Sequence, residues 1–255
     1  MLPIGIRTAF EDLPAALALG FDYMEISISE LEALPQTDFE DFCAYADEVS
    51  LPLRVGCDML PKGMPVTGAG VSSRTLHGYL TTAFARAKRL GISQIVFDAP
   101  KARSVPSDGD FPTAWRQLGN FLRLCQSEAF HADLTVLIEP IRKADCDLLN
   151  LVSEATLMNA LLQLDHVAVM ANLGHMAMTS EPLQSLRRAM PYLEHIHIEG
   201  ALDRSLKSAA DPSYARMLRS LTDIGYRGGV TLVGETEDFE RDAKQALKAL
   251  RVMLC

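Results

Sequence analysis

Three short runs of this 255-residue chain end on side chains able to move a proton or hold a metal. Glu139 closes the apolar run of residues 134–139, Asn172 and His175 follow residues 167–171, and two imidazoles sit in His195-Ile-His197-Ile-Glu199. Carboxylate, amide and imidazole brought together could act as general base and acid, or as oxygen and nitrogen ligands to a divalent cation. Each also has a plainer use. Glu139 could form an ion pair with Arg142 or Lys143 just beyond it, and a lone buried histidine is more often a hydrogen-bonded core residue. What decides is whether the three runs are parallel neighbours, because strand ends meet at one mouth in a parallel barrel. His195 and His197, two apart, would share one strand face, with His197 nearer the C-terminal end.

The elements needed to position these groups are legible along the whole chain. Short β-rich apolar runs occur at residues 2–7, 23–28, 51–57, 93–99, 134–139, 166–172, 195–199 and 229–233. They are nearly continuous in apolar residues, as strands covered on both faces should be. Helical periodicity fills residues 10–19, 38–49, 73–90, 111–130, 151–162, 181–190, 212–224 and 238–254. Eight βα units at this length predict a single α/β domain over residues 1–255, a (β/α)8 TIM barrel. A doubly wound open sheet would be expected to carry a glycine-rich phosphate loop after its first strand, and Thr8-Ala-Phe-Glu11 is not one. Leu19-Gly20 and Leu90-Gly91 read as helix C-caps, and Asp38 and Asp238 as N-caps. Residues 58–70 and 100–110 are longer than barrel loops need, so they are expected over the mouth as lids.

Composition narrows the partners. A net charge of −9 without a Lys/Arg cluster argues against nucleic acid, whose binding needs clustered cations. The sequence has no apolar run near the ~20 residues of a membrane span and no signal-peptide pattern at its start, so a cytoplasmic protein is expected. Five cysteines, Cys43, Cys57, Cys125, Cys146 and Cys255, include no CxxC pair and predict no disulfide framework.

A series of motifs in a particular order adds to this. Gly20-Phe-Asp-Tyr-Met-Glu25 is followed by Leu60-Pro61 with Val66-Thr-Gly68, and by Ile95-Val-Phe97 with Ala102-Arg103 and Val105-Pro106. Then come Ile138-Glu-Pro140, Cys146, Asn172-Leu-Gly-His-Met176, His195-Ile-His197, Arg204 and Gly225-Tyr-Arg-Gly-Gly-Val230. In these motifs the chain resembles the xylose isomerase-like TIM barrel superfamily of sugar isomerases and epimerases, inosose dehydratases and endonuclease IV. It is most similar to the sugar phosphate isomerase/epimerase branch.

That resemblance implies isomerisation or epimerisation of a sugar or sugar acid by proton transfer at the carbon next to a carbonyl. It implies Glu139 as general base with His175 and Asp145 in the catalytic set, and Glu25, Cys57, Arg103, Arg142 and Arg204 around the substrate. It further implies homo-oligomers and a divalent cation (Mn²⁺, Mg²⁺ or Zn²⁺) at Glu139, Asn172 and His197. Two of the four implied ligands have changed: Asn172 stands where the family carries Asp, and Val233 where it carries Glu. The site thereby loses negative charge and an oxygen ligand, both of which a hard cation needs. Glu235 is two residues further on and would return to the site if the last strand were shifted or bulged. Cys57 could equally be a small buried side chain, and Arg103 and Arg204 solvated arginines. The alternative to an enzyme is a non-catalytic carbohydrate-binding or regulatory descendant; DNA cleavage is disfavoured by the acidic charge.

Overall fold

In the computed structural model, which describes residues 2–254, eight parallel strands close into a barrel in sequence order. They are β1 (Ile4–Arg7), β2 (Tyr23–Ser27), β3 (Leu53–Cys57), β4 (Gln94–Phe97), β5 (Thr135–Ile138), β6 (Val167–Asn172), β7 (Leu193–Glu199) and β8 (Gly229–Val233). The predicted TIM barrel is therefore the fold, and the open sheet is excluded by the pairing of β1 with β8.

The two-residue period of a strand divides the apolar residues into two populations. Ile4, Ile6, Met24, Ile26, Val136, Ile138 and Val169 face outward into the large core shared with the helices. Tyr23, Val55, Val96, Leu137, Ala168 and Met170 form a separate cluster inside the barrel. One pleat beyond that inner cluster, toward the C-terminal ends, the same period brings Glu25, Cys57, Asp98, Glu139 and Asn172 to the lumen. The inner apolar plug thus forms a dry floor under polar groups.

Most predicted boundaries differ from the observed ones by a residue or two. Of the helices not expected, which include the four-residue Pro100–Arg103, two follow a strand without a loop: Ile28–Ala33 and Leu173–Thr179. Both begin directly at a strand end and are too short to display an amphipathic period. Ser27 and Asn172 start them by accepting hydrogen bonds from Glu30 N and from Gly174 N and His175 N. Asp238 caps its helix by accepting from Arg241 N, whereas Asp38 lies inside the first turn of a helix that begins at Gln36 after Pro35. Gly20 ends its helix at φ 77°, as predicted.

The two long loops are tied to each other over the rim. Val66 N donates to Ala102 O at 2.8 Å, and Thr67 Oγ1 donates to Ser104 O at 2.6 Å. Only their first residues, Asp58, Pro100 and Lys101, reach the mouth. Cys43, Cys57, Cys125 and Cys146 are free and buried, while Cys255 lies outside the described residues. Among the described residues, no helix is long and apolar enough to cross a membrane.

Candidate active site

Adjacent strand ends bring the predicted residues together. Asn172 of β6 is in register with His197 of β7, Glu199 of β7 is in register with Val233 of β8, and Glu139 follows β5 directly. They open on a cavity of about 470 Å³ that Glu139, Asn172, His175, His197, Glu199 and Arg204 line from one side, with Arg7, Asp58 and Asp98 across it. An adjoining cavity of about 460 Å³ shares Arg7, Asp58, Glu199, Arg204 and Val233 and extends to Cys57 and Glu235.

Asn172 is the hub of the arrangement. Its Nδ2 donates to Glu139 Oε1 at 2.9 Å and to Glu199 Oε2 at 3.1 Å. Its Oδ1 accepts from Gly174 N at 3.0 Å and His175 N at 3.3 Å. The reverse amide orientation would set the oxygen against two carboxylates and the NH2 against two N–H donors, so the network admits one assignment. Gly174 makes this close approach feasible, because a Cβ there would lie 2.5 Å from Glu199 O.

Below the hub, His197 joins two carboxylates. Its Nε2 is 3.1 Å from Glu25 Oε2 and its Nδ1 is 3.6 Å from Glu139 Oε1. His195 lies one pleat deeper, with Nε2 3.0 Å from Thr231 Oγ1 and 3.6 Å from Glu25 Oε2. Burial alone would discharge His197, but Glu25 and then Glu139 outweigh it and hold the imidazole protonated well above its usual range. Burial likewise opposes the charge on Glu25 and Glu139, and their histidine partners overcome it, so both carboxyls are held down. His195, where burial prevails, is pushed down and stays neutral.

A second charge pair closes the wall. Glu199 Oε1 accepts from Arg204 Nε at 2.6 Å, and Glu199 Oε2 lies 3.4 Å from His175 Nε2. Against burial, His175 and Arg204 bring Glu199 down to about 2. Asp98 goes the other way: burial and then the charge of Asp58 push it up to about 6. The mouth therefore contains carboxyl groups pushed in opposite directions, the usual arrangement for dividing base and acid roles.

The shift at Glu199 has a measurable consequence. A depressed carboxyl contributes stability that is present above its unfolded value and lost as pH falls through the folded one. Glu199→Gln is expected to lower stability at neutral pH by about 2–3 kcal/mol, and the deficit should close between about pH 4.5 and 2. Calorimetry of both proteins across that range checks it; a deficit independent of pH would remove the ion pair as its cause.

The structure separates the predicted residues into groups. Glu139, Asn172, His175, His197, Asp145 and Arg204 line the mouth, and Cys57 lines the adjoining cavity. The plainer reading of Glu139 fails, because Arg142 is paired with Asp145 at 2.6 Å and opens on a different pocket with Lys143. Arg142 is thus not among the residues lining the mouth. Arg103 is corrected as well: it is fully buried, with its guanidinium donating to the backbone carbonyls of Phe97 and Glu139 and lying 5.0 Å from the Phe97 ring. It braces two strand ends and cannot clamp a substrate. Glu25 is fully buried beneath His197, to whose Nε2 it is hydrogen-bonded at 3.1 Å. Burial pushes the Cys57 thiol up, which leaves a small neutral side chain and no thiolate ligand.

Glu199 and Asp98 were missed. Glu199 was legible, since it shares the two-residue period of His195 and His197 in the same motif. Arg7 and Asp58, bonded at 2.5 Å, come from different strand ends and had no motif to flag them.

The implied cation fits these residues only in part. Glu139 and His197 could be ligands, and Glu25 bonded to Nε2 is the outer partner that a ligating histidine needs. Asn172 turns its NH2 into the site and spends its oxygen on the helix start, and Val233 has no donor atom. Glu235 does not return either: it is exposed on the rim, its backbone bridged to Ser205 beyond the end of β8. The residues therefore do not form the implied four-ligand set. Separately, ligand atoms of Glu25, His195 and His197 lie within 4.8 Å of one another deep in the lumen, where Glu25 is already hydrogen-bonded to His197 and His195 to Thr231.

Residues 13–253 match the sequence profile of the xylose isomerase-like TIM barrel family. A comparison with curated protein sequences gives no significant match. Among solved structures, 3-keto-D-glucoside 4-epimerase from E. coli is 19% identical, with 99% of this chain and 100% of that chain covered and a TM-score of 0.82. D-psicose 3-epimerase from Clostridium cellulolyticum H10 is 18% identical, with 99% of both chains covered and a TM-score of 0.85. D-allulose 3-epimerase from Methylomonas sp. is 16% identical, with 99% of this chain and 98% of that chain covered and a TM-score of 0.85.

Proposed function

The chain belongs to the xylose isomerase-like TIM barrel family, and we propose that it isomerises or epimerises a sugar or sugar acid at the mouth of the barrel. The observation that carries this reading is a cavity whose wall joins an ionised buried carboxylate, Glu139, to two imidazoles and an arginine. The names of the three similar structures described above, each a sugar epimerase, support it.

In this reading Glu139 removes the proton from the carbon beside the carbonyl, and negative charge develops on the carbonyl oxygen. A carboxylate held down by its partners is a weak base, so the carbon acid must be made stronger by stabilising that charge. Arg204 and His175, whose imidazole is pushed up by Glu199 and then Glu139 against its burial, supply the stabilisation. Return of the proton by Glu139 to the former carbonyl carbon, with the proton of the adjacent hydroxyl passing to the old carbonyl oxygen, gives an isomer. Delivery to the opposite face gives an epimer, and Asp98 is the carboxyl of the mouth that most readily carries a proton near neutrality.

The test is incubation in D2O with D-psicose, D-tagatose, D-fructose and L-ribulose, followed by NMR at the carbons flanking the carbonyl. Deuterium is expected at one of them, with a new isomer or epimer. Saturable binding of a sugar without exchange would instead favour the non-catalytic descendant.

A further inference from the structure

We propose that the amide of Asn172 stands where the family resemblance puts a divalent cation, and that Glu199 supplies from β7 the carboxylate that Val233 lacks on β8. Two carboxylates facing one cavity repel each other unless something positive lies between them. In the family reading that is a metal ion; here it is an NH2 group donating one hydrogen bond to each, 2.9 Å to Glu139 and 3.1 Å to Glu199. The amide is locked in this orientation by the two backbone donors on its oxygen. Glu199 is the register partner of Val233, so its carboxylate enters the mouth from the strand next to the one that lost its own. His197 Nδ1, 3.6 Å from Glu139 Oε1, completes the group on the remaining side. The mouth is thus a metal-free arrangement one atom away from a metal site.

That last point gives a sharp test. Asn172→Asp keeps the helix start, because an Asp oxygen accepts the same two N–H bonds, and replaces the donor by an acceptor. Glu139, Asp at 172, His197 and Glu199 would then offer four ligands, suited to Mn²⁺. Titration calorimetry of the EDTA-treated full chain with Mn²⁺ is the measurement. The wild type is expected to show no saturable binding at millimolar Mn²⁺, and Asn172→Asp to bind one ion per chain. The gain should exceed the roughly 10- to 100-fold that an outer hydrogen bond to a ligand is worth. Adding Glu199→Gln to Asn172→Asp should abolish it.

Stoichiometric Mn²⁺ on the wild type that disappears in Glu139→Gln would overturn the proposal. So would a folded Asn172→Asp that binds nothing while Asn172→Asp with Val233→Glu binds, since Glu199 would then not replace the β8 carboxylate. Should repulsion unfold Asn172→Asp in EDTA, refolding and a raised Tm with Mn²⁺ are the expected result, and a chain unfolded under both conditions counts against it. The readout needs no substrate, so failure of the epimerase reading leaves it intact.

Discussion

Glu139→Gln is expected to lower the rate of solvent-deuterium exchange into substrate by about 10²–10⁴-fold, the usual contribution of a positioned general base. The substitution is nearly isosteric. A Gln oxygen still accepts from Asn172 Nδ2, and the backbone carbonyl of residue 139 still receives Arg103 from below. The loss should therefore fall on kcat with the far-UV spectrum unchanged, while Tm falls by roughly 5–10 °C, because a buried carboxyl held down by its partners is lost, as at Glu199. Glu139→Asp is the useful companion: it retains the charge but withdraws it by one methylene, and an intermediate rate is expected. Exchange that proceeds at the wild-type rate in Glu139→Gln would take Glu139 out of the mechanism and shift attention to Glu199 and Asp98.

Glu25→Leu should have the largest effect on stability. Glu25 has no solvent exposure, and its Oε2 accepts from His197 Nε2 at 3.1 Å and lies 3.6 Å from His195 Nε2. Removing one member of a buried ion pair strands the other, at a cost of about 3–5 kcal/mol, which in a chain of this size lowers Tm by roughly 10 °C. The pH dependence separates this from a simple packing defect. His197 is held up to about 10 in the folded chain, so its contribution is whole below about pH 6.5 and is lost as pH rises through about 10. In Glu25→Leu the main charge raising His197 is gone, so that alkaline decline should disappear and the deficit relative to wild type should shrink toward pH 10. Thermal melts between pH 6 and 10 decide it, and parallel melting curves would mean that His197 is not charged in the native protein. Because the imidazolium also lies beside Glu139, exchange activity should acquire an alkaline limb at lower pH than in the wild type.

How much of this could be read in advance differs between fold and site. Apolar runs of two-faced strands, separated by helical periods and punctuated by Gly20 and Asp238, suffice for a closed eight-stranded barrel, because period and punctuation are local properties of the chain. The same locality explains two of the unseen helices, each started by one polar side chain at a strand end and too short to show a period. Glu139, His175 and His197 were legible as chemistry-bearing residues because polar groups closing apolar strands must face somewhere, and a barrel has one mouth for them.

What each polar group does with its atoms was decided by tertiary structure. The sequence determines that residue 172 is an amide and residue 233 a valine; it does not say that the amide turns its NH2 toward Glu139 and Glu199, or that Glu199 enters beside Val233. Arg103 and Arg204 are both loop arginines in the sequence, yet one is sealed under the strand ends and the other reaches the cavity half-exposed. These outcomes depend on register between strands and on which partner lies within about 3 Å, quantities set by segments tens to hundreds of residues apart. Local pattern therefore specifies the barrel and the identity of the groups at its mouth, while long-range packing specifies the hydrogen bonds, charges and exposure on which their chemistry depends.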